Sequence, residues 1–519
     1  MQIQSQVAVL ENPFAPAREH FDRLVEQLGG RKAQGMTHSE IEKLIGREGN
    51  EVLRRLFQGH LDVRGPGEAT DEVEGSDGVR RPYARMMERR LKTVFGVVTV
   101  DRTTYSAHET PYLAPRDAEL NLPPELYSHG VQRRVANEVS KISFDASVEA
   151  IAETTGTTVP KRQAEQLAAR AAVDFDAFYG ERRAETVREA DKTSDILALS
   201  ADGKGVVMRK DALREATRKA AETRTHKIAT RLSKGEKRNA KRMATVAAVW
   251  TVAAFKRTPE DVMKDLARVR DTAVVRPRPE KKRVWASLEK SPHEIIEEAF
   301  QEAMRRDPRR DKQWVGLVDG NPTQIEQLHA GAERHDVDLT IILDLMHVAE
   351  YVWKAAFVFH GEAAPAAEKW VSARLFEILR GHSSEVAAGM RRSATLRNIE
   401  PAKRAAVDDC ADYLIKHRAY LRYDKYLAAG YPICTGVIEG TCRHLINDRL
   451  DIVGAHWGLK SAEAVLRLRA IRSSGDFDEY WAFHEKHEWM RHHLDRYAGL
   501  PPGTLAPNVR GRRHLSIVK

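Results

Sequence analysis

Three short segments of this sequence each carry an acidic residue at a structural boundary, and they constrain the fold more than any other feature. ILALSADGKG places Asp202 at the end of an apolar run, and WVGLVDGN does the same for Asp319. Both runs have the composition of buried β-strands. TGVIEGTCRH places Glu439 near the start of a predicted helix. Converging carboxylates are the ligands that hard cations prefer, so the pattern predicts a site for two divalent ions about 4 Å apart.

Residues 194–345 alternate between β-type and helical patterns. Helical periodicity predicts a helix over 291–305 and another in PTQIEQLHAGAERH, while Pro277 and Pro279 exclude a helix interior in VVRPRPEKKRVW. Three strands followed by alternating helix and strand is the order of a ribonuclease H-like core. The predicted strands cover 196–202, 205–209, 243–254, 313–319 and 338–344.

The chain of 519 residues is too long for one hydrophobic core, so a multidomain α+β protein is expected. Thr37 and Glu40 form a possible capping box, and TVFGVVTVDRTTYSA is a β-type run. The expected fold class is an α/β ribonuclease H-like core with an all-α insertion, preceded by a mostly helical N-terminal DNA-binding region. The predicted segments are a helical region at 1–61, a linker at 62–81, a β segment with helix-turn-helix at 82–190, the first part of the core at 191–346, the insertion at 347–428, C-terminal core helices at 429–500 and a basic disordered tail at 501–519.

The segment from 140 to 176 has the pattern helix, turn, helix. The first helix ends at Gly156, and the second restarts with Thr158 as a possible cap and Pro160 in its first turn. The second helix carries residue types that reach phosphates and base edges, which predicts a DNA-reading pair; an ordinary helical bundle is the alternative. These residues are Lys161, Arg162, Gln163, Gln166 and Arg170.

The positive charge is concentrated in one block. Residues 209–242 hold thirteen Lys/Arg and four Asp/Glu, an excess of nine that equals the net charge of the whole chain. The block follows Asp202 directly, so it predicts a phosphate-contacting surface, with a solvated helical face as the alternative. The candidate contacts in and beside it are Lys204, Arg209, Lys210, Lys237, Arg238, Lys241 and Arg242.

The three cysteines predict a reducing compartment. Cys410, Cys434 and Cys442 contain no C-x-x-C pair, and their odd number argues against a disulfide framework. The N-terminus lacks a signal-peptide pattern, and the longest apolar stretch, TVAAVWTVAAF, is too short to span a bilayer. A cytoplasmic protein without a membrane role is therefore expected.

Two residues are candidates for the second metal-binding acid, Asp319 and Asp344. Asp344 ends the next predicted strand and lies three residues before His347, so it is a further candidate metal ligand beside Asp319. His347 either supports the site or simply packs at a helix start. Glu439 is spaced for an i,i+4 pair with Arg443, which would orient the carboxylate or meet DNA.

Read together, these residues resemble the ISKra-type insertion-sequence transposases of bacteria, which look related to the Mutator-like group of DDE transposases. The resemblance covers most of the chain from about residue 90. It is carried by SADGKGVVMRK, KRMATVAAVWTV, RPRPEKKRVWASL, VDGN, ILDLMHVAEYVWKAA, PICTGVIEGTCRHLINDRLDIVGAHWGL and AEAVLRLRAIRSSGDFDEYW. It implies that Asp202, Asp319 and Glu439 are the three catalytic acids. His347 matches the His of a Cys-x-x-His signature, whereas Asp344 stands in its Cys position.

The resemblance implies a Mg²⁺-dependent enzyme that binds double-stranded DNA at the ends of a mobile element, cleaves it and joins it to a target. Two Mg²⁺ ions are expected, with Mn²⁺ as a substitute, and at least a homodimer, because two element ends must be paired. The location implied is the bacterial cytoplasm, at the nucleoid. Two other functions stay open: a non-catalytic DNA-binding regulator, and a ribonuclease H-like nuclease that cuts without joining.

Overall fold

The computed structural model describes residues 12–69, 72–185, 192–223, 239–269, 275–362, 364–452, 454–499 and 501. The chain divides into two units, each taken separately below. One unit comprises the residues up to Asp174 and those from Asp478 onwards, and the other comprises Phe175–Phe477. Within the described ranges, no helix is both long and apolar enough to cross a membrane.

The first unit combines helices with a long β-hairpin, whose two strands pair antiparallel from Tyr83↔Ser106 to Thr93↔Gly96. The predicted capping box is confirmed: Thr37 accepts a hydrogen bond from the Glu40 amide, and the Glu40 carboxylate accepts one from Thr37. The elements are α1 (Ala15–Gly29), α2 (Arg31–Gln34), α3 (His38–Arg64), β1 (Val73–Glu74), β2 (Arg80–Arg81), β3 (Tyr83–Thr93), β4 (Gly96–Ser106), α4 (Pro115–Glu119), α5 (His129–Lys141), α6 (Phe144–Thr154) and α7 (Lys161–Ala171).

Two local predictions in this unit need correction. Residues 62–81 are not a plain linker, because α3 continues to Arg64 and β1 pairs with β2; the turn between them is held by the buried Arg81, whose Nη2 lies 2.7 Å from Asp77 Oδ2. The second helix of the predicted helix-turn-helix starts at Lys161, with Pro160 rather than Thr158 in the N-cap position.

The second unit is built on a mixed β-sheet. Its strands are β5 (Ile196–Val207), β6 (Lys241–Val252), β7 (Glu280–Ser287), β8 (Gln313–Val318) and β9 (Leu339–Leu343). Their order across the sheet is β7-β6-β5-β8-β9. The pairs β7–β6 and β6–β5 are antiparallel, and the pairs β5–β8 and β8–β9 are parallel.

Two of the predicted strands are one strand. The chain does not turn at Asp202-Gly203; β5 covers 196–202 and continues to Val207, within the predicted strand 205–209, because β6 pairs with it from Ile196↔Val252 to Val207↔Lys241. A Cβ on Gly205 would lie 2.9 Å from the Lys241 side chain, so the glycine lets the strands approach there. The third strand of the antiparallel set is β7, which the prediction missed; it begins just after Pro279.

The described residues of the segment predicted as a helical insertion form helices α13 to α17, and the predicted helix at 291–305 is α11. The helices of this unit are α8 (Phe175–Ala184), α9 (Glu215–Glu222), α10 (Pro259–Leu266), α11 (Pro292–Arg306), α12 (Pro322–Arg334), α13 (Leu345–His360), α14 (Pro365–Leu379), α15 (Ser383–Leu396), α16 (Pro401–Lys416), α17 (Tyr423–Ala429), α18 (Gly436–Cys442), α19 (Asp448–Leu450) and α20 (Leu459–Ser474).

The final helix, α21 (Phe477–His492), lies with the first unit instead of continuing the C-terminal core helices predicted over 429–500. Tyr480 on α21 is fully buried, and its hydroxyl donates to Ala171 O at 2.7 Å. The division into two units falls after Asp174 and before Asp478. The segment boundaries at 190 and 500 stay predictions.

A buried ion network joins β7 to α11 and makes the stability of the second unit depend on pH. The Glu302 carboxylate is 2% exposed and accepts hydrogen bonds from Arg283 Nη1 at 2.9 Å and Arg306 Nε at 2.8 Å. Burial alone raises the pKa of Glu302, but the charges of Arg283, Arg306 and Arg305 outweigh that effect and lower the pKa from 4.5 to about 2. The ionised form therefore stabilises the fold above pH 4.5, and this contribution is lost as the pH falls toward 2.

We expect Glu302→Gln to lower the free energy of unfolding at neutral pH by about 3 to 5 kcal/mol, because it leaves buried guanidinium groups without their counter-charge. Urea unfolding at pH 7 and between pH 4.5 and 2 measures this, and the mutant should lose part of the acid sensitivity. The exposed Glu326 on α12 supplies the matched control, Glu326→Gln. A change for Glu302→Gln no larger than about 0.5 kcal/mol, the range of ordinary surface substitutions, would contradict the expectation.

Candidate active site

Two of the predicted acids lie at adjacent strand ends. The parallel pairing of β5 with β8 places Ser200 beside Leu317, and Asp202 and Asp319 each follow two residues later. Gln324 on α12 joins the two ends: in the amide orientation that satisfies both acceptors, its nitrogen lies 3.3 Å from Asp319 Oδ1 and 3.2 Å from Ala201 O. The sheet register therefore brings these two carboxylates to the same edge.

Helix α18 brings the third acid to this edge. The Cys442 thiol donates to Asp202 Oδ2 at 3.3 Å. Glu439 lies three residues earlier on α18, and residues with this spacing are neighbours on a helix surface. Burial and the negative charge of Asp202 raise the pKa of the Cys442 thiol, so it remains a protonated donor. The thiol thus links the Glu439 helix to the strand that carries Asp202.

The end of β9 contributes a second group of side chains. Asp344, His347 and Glu439 each offer one ligand atom, and these atoms all lie within 4.8 Å of one another. Thr435, at the N-cap of α18, donates its hydroxyl to Asp344 Oδ2 at 2.5 Å and lies 3.4 Å from Glu439 Oε1. Of the two candidate second acids, Asp344 is therefore the one that lies with Glu439 at this distance.

The surroundings of Asp319 and Asp344 differ in a way that separates their roles. Asp344 is fully buried and caps α13: Oδ1 accepts from Met346 N at 3.0 Å, and Oδ2 accepts from Thr435. Asp319 is half-buried, and its Oδ1 accepts from the Asn321 amide at 2.8 Å and faces Gln324, whereas within the described residues its Oδ2 has no hydrogen bond. The oxygens of Asp344 are thus already used to hold two helix starts, whereas Asp319 keeps an oxygen available.

A cavity of about 780 Å³ opens beside Asp319. Tyr413 from α16 lines it and donates its hydroxyl to Asp319 O at 2.9 Å. The Tyr413 ring stacks on that of Tyr351, with centroids 4.0 Å apart. Lys416 and His417 line the same space, so the helical insertion supplies one wall of the candidate site.

The donor set fits hard divalent cations. Asp202, Asp319 and Glu439 present carboxylate oxygens from three separate elements, and none of the three is buried. Oxygen ligands with partial access to water are what Mg²⁺ requires, because it keeps several of its own water ligands. His347 is half-buried, with Nε2 at 3.9 Å from Asp344 Oδ2 and Nδ1 at 3.8 Å from Glu350.

Arg443 does not form the predicted pair with Glu439. Its Nε lies 3.7 Å from Asp448 Oδ1, and its side chain is largely exposed. Arg443 begins a π-helical turn, Arg443–Asn447, directly after α18. The guanidinium of Arg443 therefore points toward Asp448, which follows this turn, and not back toward Glu439. The Glu439 carboxylate stays exposed at the site.

The predicted DNA-reading residues of α7 fall into two groups. Arg162, Gln163 and Gln166 are exposed, as is Lys161, which pairs with Asp145 at 2.7 Å. Arg170 is instead half-buried, paired with Glu125 and 3.8 Å from Glu488. Arg170 was predicted to contact DNA, and this prediction needs correction. Its guanidinium, at the last turn of α7, is engaged by the carboxylates of Glu125 and Glu488.

The predicted phosphate contacts near β5 also differ from one another. Lys204 is half-buried on β5, Lys210 is exposed, and Arg209 is exposed with Asp211 at 3.6 Å. Lys241 pairs with Asp451 at 3.1 Å. Two more predicted contacts, Lys237 and Arg238, lie outside the described residues.

The prediction that Arg242 contacts phosphate needs correction. Its guanidinium donates to the carbonyl oxygens of Leu288 at 2.9 Å and Ala212 at 3.1 Å, so it ties the start of β6 to two loops. A side chain used in this way is structural, and the charge run alone did not distinguish it from its neighbours.

The sequence pattern missed several residues that shape the site. The sequence identified Cys442 only as a cysteine outside any disulfide framework, yet its thiol contacts Asp202. Gln324, Thr435 and Tyr413 contact the acids or their backbone. The only signal in the sequence was the position of Cys442, three residues after Glu439 in the predicted helix; the other contacts depend on tertiary packing.

Comparison with known proteins gives little further information. No family model and no curated protein matches this sequence. Among solved structures, the Drosophila P element transposase strand transfer complex matches with 9% sequence identity, covering 70% of this chain and 81% of that chain, at a TM-score of 0.24. A TM-score this low does not define the fold or the function of the present chain.

Proposed function

We propose that this chain is a DDE-type DNA transposase, which cleaves the ends of a mobile DNA element and joins them to a target. The observation that carries the proposal is the placement of Asp202 and Asp319 at adjacent strand ends, with Glu439 on the helix whose Cys442 thiol contacts Asp202. The strand order β7-β6-β5-β8-β9, with three antiparallel and then two parallel strands, is that of a ribonuclease H-like core and supports it.

Asp202, Asp319 and Glu439 would hold the two Mg²⁺ ions, and Mn²⁺ would substitute. Bound ions supply Lewis-acid activation of the attacking oxygen and stabilisation of the leaving 3′ oxygen. The protein residues position the carboxylates: Gln324 and Asn321 fix Asp319, and Cys442 fixes Asp202. Asp344 holds Thr435 and the start of α13, so it acts as a positioning residue.

The reaction is an in-line displacement at phosphorus. A water or a terminal 3′-hydroxyl forms the new P–O bond, and the 3′ oxygen of the cut strand leaves and takes up a proton. No covalent bond to the protein forms, so no nucleophilic side chain is needed. At least two copies of the chain would act together, because both element ends must be paired before joining.

The decisive assay uses the full chain with duplexes taken from the DNA that flanks its gene, pre-cut to expose 3′-hydroxyl ends, and a plasmid target with Mg²⁺. We expect joined product in the wild type and none in Glu439→Gln. Cleavage of uncut flanking DNA without any joining would overturn the proposal in favour of a nuclease. DNA binding with neither reaction would overturn it in favour of a regulator.

The exposed cation Lys210 offers a test of the proposed DNA surface. We expect Lys210→Gln to reduce the slope of log K against log salt by about 1, because one phosphate contact is lost. Arg242→Gln should leave the slope unchanged and instead lower stability, since its guanidinium serves two carbonyl groups. Fluorescence anisotropy on a fixed duplex at several salt concentrations measures both. Equal slopes for wild type and Lys210→Gln would remove Lys210 from the interface.

A further inference from the structure

The backbone of β3 forms hydrogen bonds on both of its sides near the end of the strand. Its pairing with β4 is continuous along the whole strand. On the side away from β4, Lys92 N donates to Leu126 O at 2.7 Å, and Lys92 O accepts from Ser128 N at 2.9 Å. In an antiparallel pair, residues whose backbone groups face away from the partner strand recur at every second position. Lys92 therefore identifies the even-numbered residues of β3 as those that face its outer edge.

Nearer the start of β3 this outer edge is free. Ala84, Met86 and Glu88 face the same way as Lys92, and within the described residues their outward N–H and C=O groups have no hydrogen-bond partner. All three residues are exposed. Met86 is 63% exposed, and Tyr83, the first residue of the strand, is 69% exposed. The free edge thus combines unused backbone groups with two large apolar side chains.

The outer edge of β4 differs, because other segments of the first unit cover it. Thr103 N donates to Pro66 O at 2.9 Å, and Tyr105 exchanges two backbone hydrogen bonds with Leu113, at 2.7 and 2.9 Å. Thr103 and Tyr105 are also buried. The hairpin is therefore not a free two-stranded ribbon of the kind that enters a DNA groove. Of its two edges, that of β3 is the one open to another chain.

We propose that the β3 edge binds the same edge of a second copy of this chain, antiparallel and about a two-fold axis. An unpaired strand edge is a template for an added strand. A symmetric pairing uses the same edge on both copies, so it closes as a dimer and does not propagate. The two hairpins would then form one continuous sheet in the order β4-β3-β3-β4.

Charge determines where along the free edge the axis can lie, because like charges directly opposite each other destabilise a strand pair. An axis at Arg85 or at Glu88 places that residue opposite its own copy. An axis at Met87 places Arg85 opposite Arg89. An axis closer to the start of the strand runs onto Pro82, which has no N–H to donate. Charged residues and proline commonly protect strand edges in this way, and here they exclude these registers.

An axis at Met86 places no like charges opposite each other. Arg85 then faces Met87 of the second copy, and Glu88 faces Ala84 of the second copy. The outward backbone groups of Ala84, Met86 and Glu88 on both copies would form about six N–H···O hydrogen bonds. This register uses the free backbone groups and satisfies the charges, which favours a second copy as the occupant of the edge.

The first test is the oligomeric state of the full chain without DNA, measured by sedimentation velocity over a range of chain concentrations. We expect a monomer–dimer equilibrium in the wild type. Met86→Pro removes the outward N–H at the axis but no hydrogen bond to β4, so it should weaken dimerisation at least about 10-fold. The matched control is Met86→Thr, which keeps the N–H and suits a strand; it should dimerise within about 3-fold of the wild type.

Two opposite charges at one position test the register. Ala84 is exposed, and in the proposed pairing it faces Glu88 of the second copy. Ala84→Lys should tighten the dimer about 3- to 10-fold, because two cross-strand ion pairs form, whereas Ala84→Glu should weaken it by a similar factor. High salt should reduce this difference. Equal dimerisation of the two variants would refute the pairing about Met86.

A wild-type chain that stays monomeric at every concentration, or a folded Met86→Pro variant that dimerises as the wild type does, would overturn the proposal. Should Met86→Pro fail to fold, as judged by circular dichroism, the two Ala84 variants decide. A transposase also needs two copies to pair its element ends, but these readouts involve neither DNA nor Mg²⁺. Failure of this interface is therefore distinguishable from failure of the proposed transposase activity.

Discussion

Asp202→Asn is expected to lower Mg²⁺-dependent cleavage and joining of end DNA at least about 10³-fold, equivalent to about 4 kcal/mol of transition-state stabilisation. The substitution keeps the size of the side chain but removes the charge from the carboxylate that sits on β5 between Cys442 and the neighbouring end of β8. Single-turnover cleavage of a labelled duplex measures the loss, and DNA binding should stay near the wild-type level.

The control is Asp211→Asn, which neutralises an exposed acid nine residues further along the same segment. It should cleave at the wild-type rate. Retained activity in Asp202→Asn would remove Asp202 from the catalytic set. Equal loss in both variants would mean that net charge, and not the position of the carboxylate, controls the rate.

The second large expected effect is a difference in cleavage rate between Asp319→Asn and Asp344→Asn. Asp319→Asn should also reduce cleavage at least about 10³-fold, because it removes a half-buried carboxylate with one oxygen left for a metal ion. Asp344→Asn should cost less than about 10-fold and about 1 kcal/mol of stability. Asparagine caps a helix start as well as aspartate does, and one buried hydrogen bond, that from Thr435, is weakened.

Paired measurement of cleavage rate and urea unfolding for the two variants separates a metal ligand from a positioning residue. Adding Mn²⁺ should partly restore Asp319→Asn if the loss is in metal binding. The reverse order, with Asp344→Asn inactive but folded and Asp319→Asn active, would make Asp344 the second metal-binding acid.

The elements that the sequence predicts well are those whose signal is local. The apolar runs before Asp319 and Asp344 form β8 and β9, and the Thr37–Glu40 capping box starts α3 as expected. The acids themselves stand out because each ends a buried strand or begins a helix. Local composition is enough for these, since burial and capping act over a few residues.

The elements that it predicts poorly depend on partners far away in the chain. β5 continues past Asp202-Gly203 only because β6 pairs along its whole length, and β7 forms beside prolines because it pairs with β6. Cys442 reaches Asp202 across 240 residues, and Arg242 serves two carbonyl groups that no charge count identifies. Tertiary pairing overrides the local turn and strand propensities at these positions.

The most direct test of the central claim is where divalent ions bind. Crystals of the full chain soaked in Mn²⁺ should give two anomalous difference peaks about 4 Å apart, within bonding distance of the Asp202, Asp319 and Glu439 carboxylates. The peaks should be absent in Asp202→Asn crystals treated in the same way. Peaks elsewhere, or no ion at the shared edge of β5 and β8, would contradict the assignment of these acids as one metal-binding site.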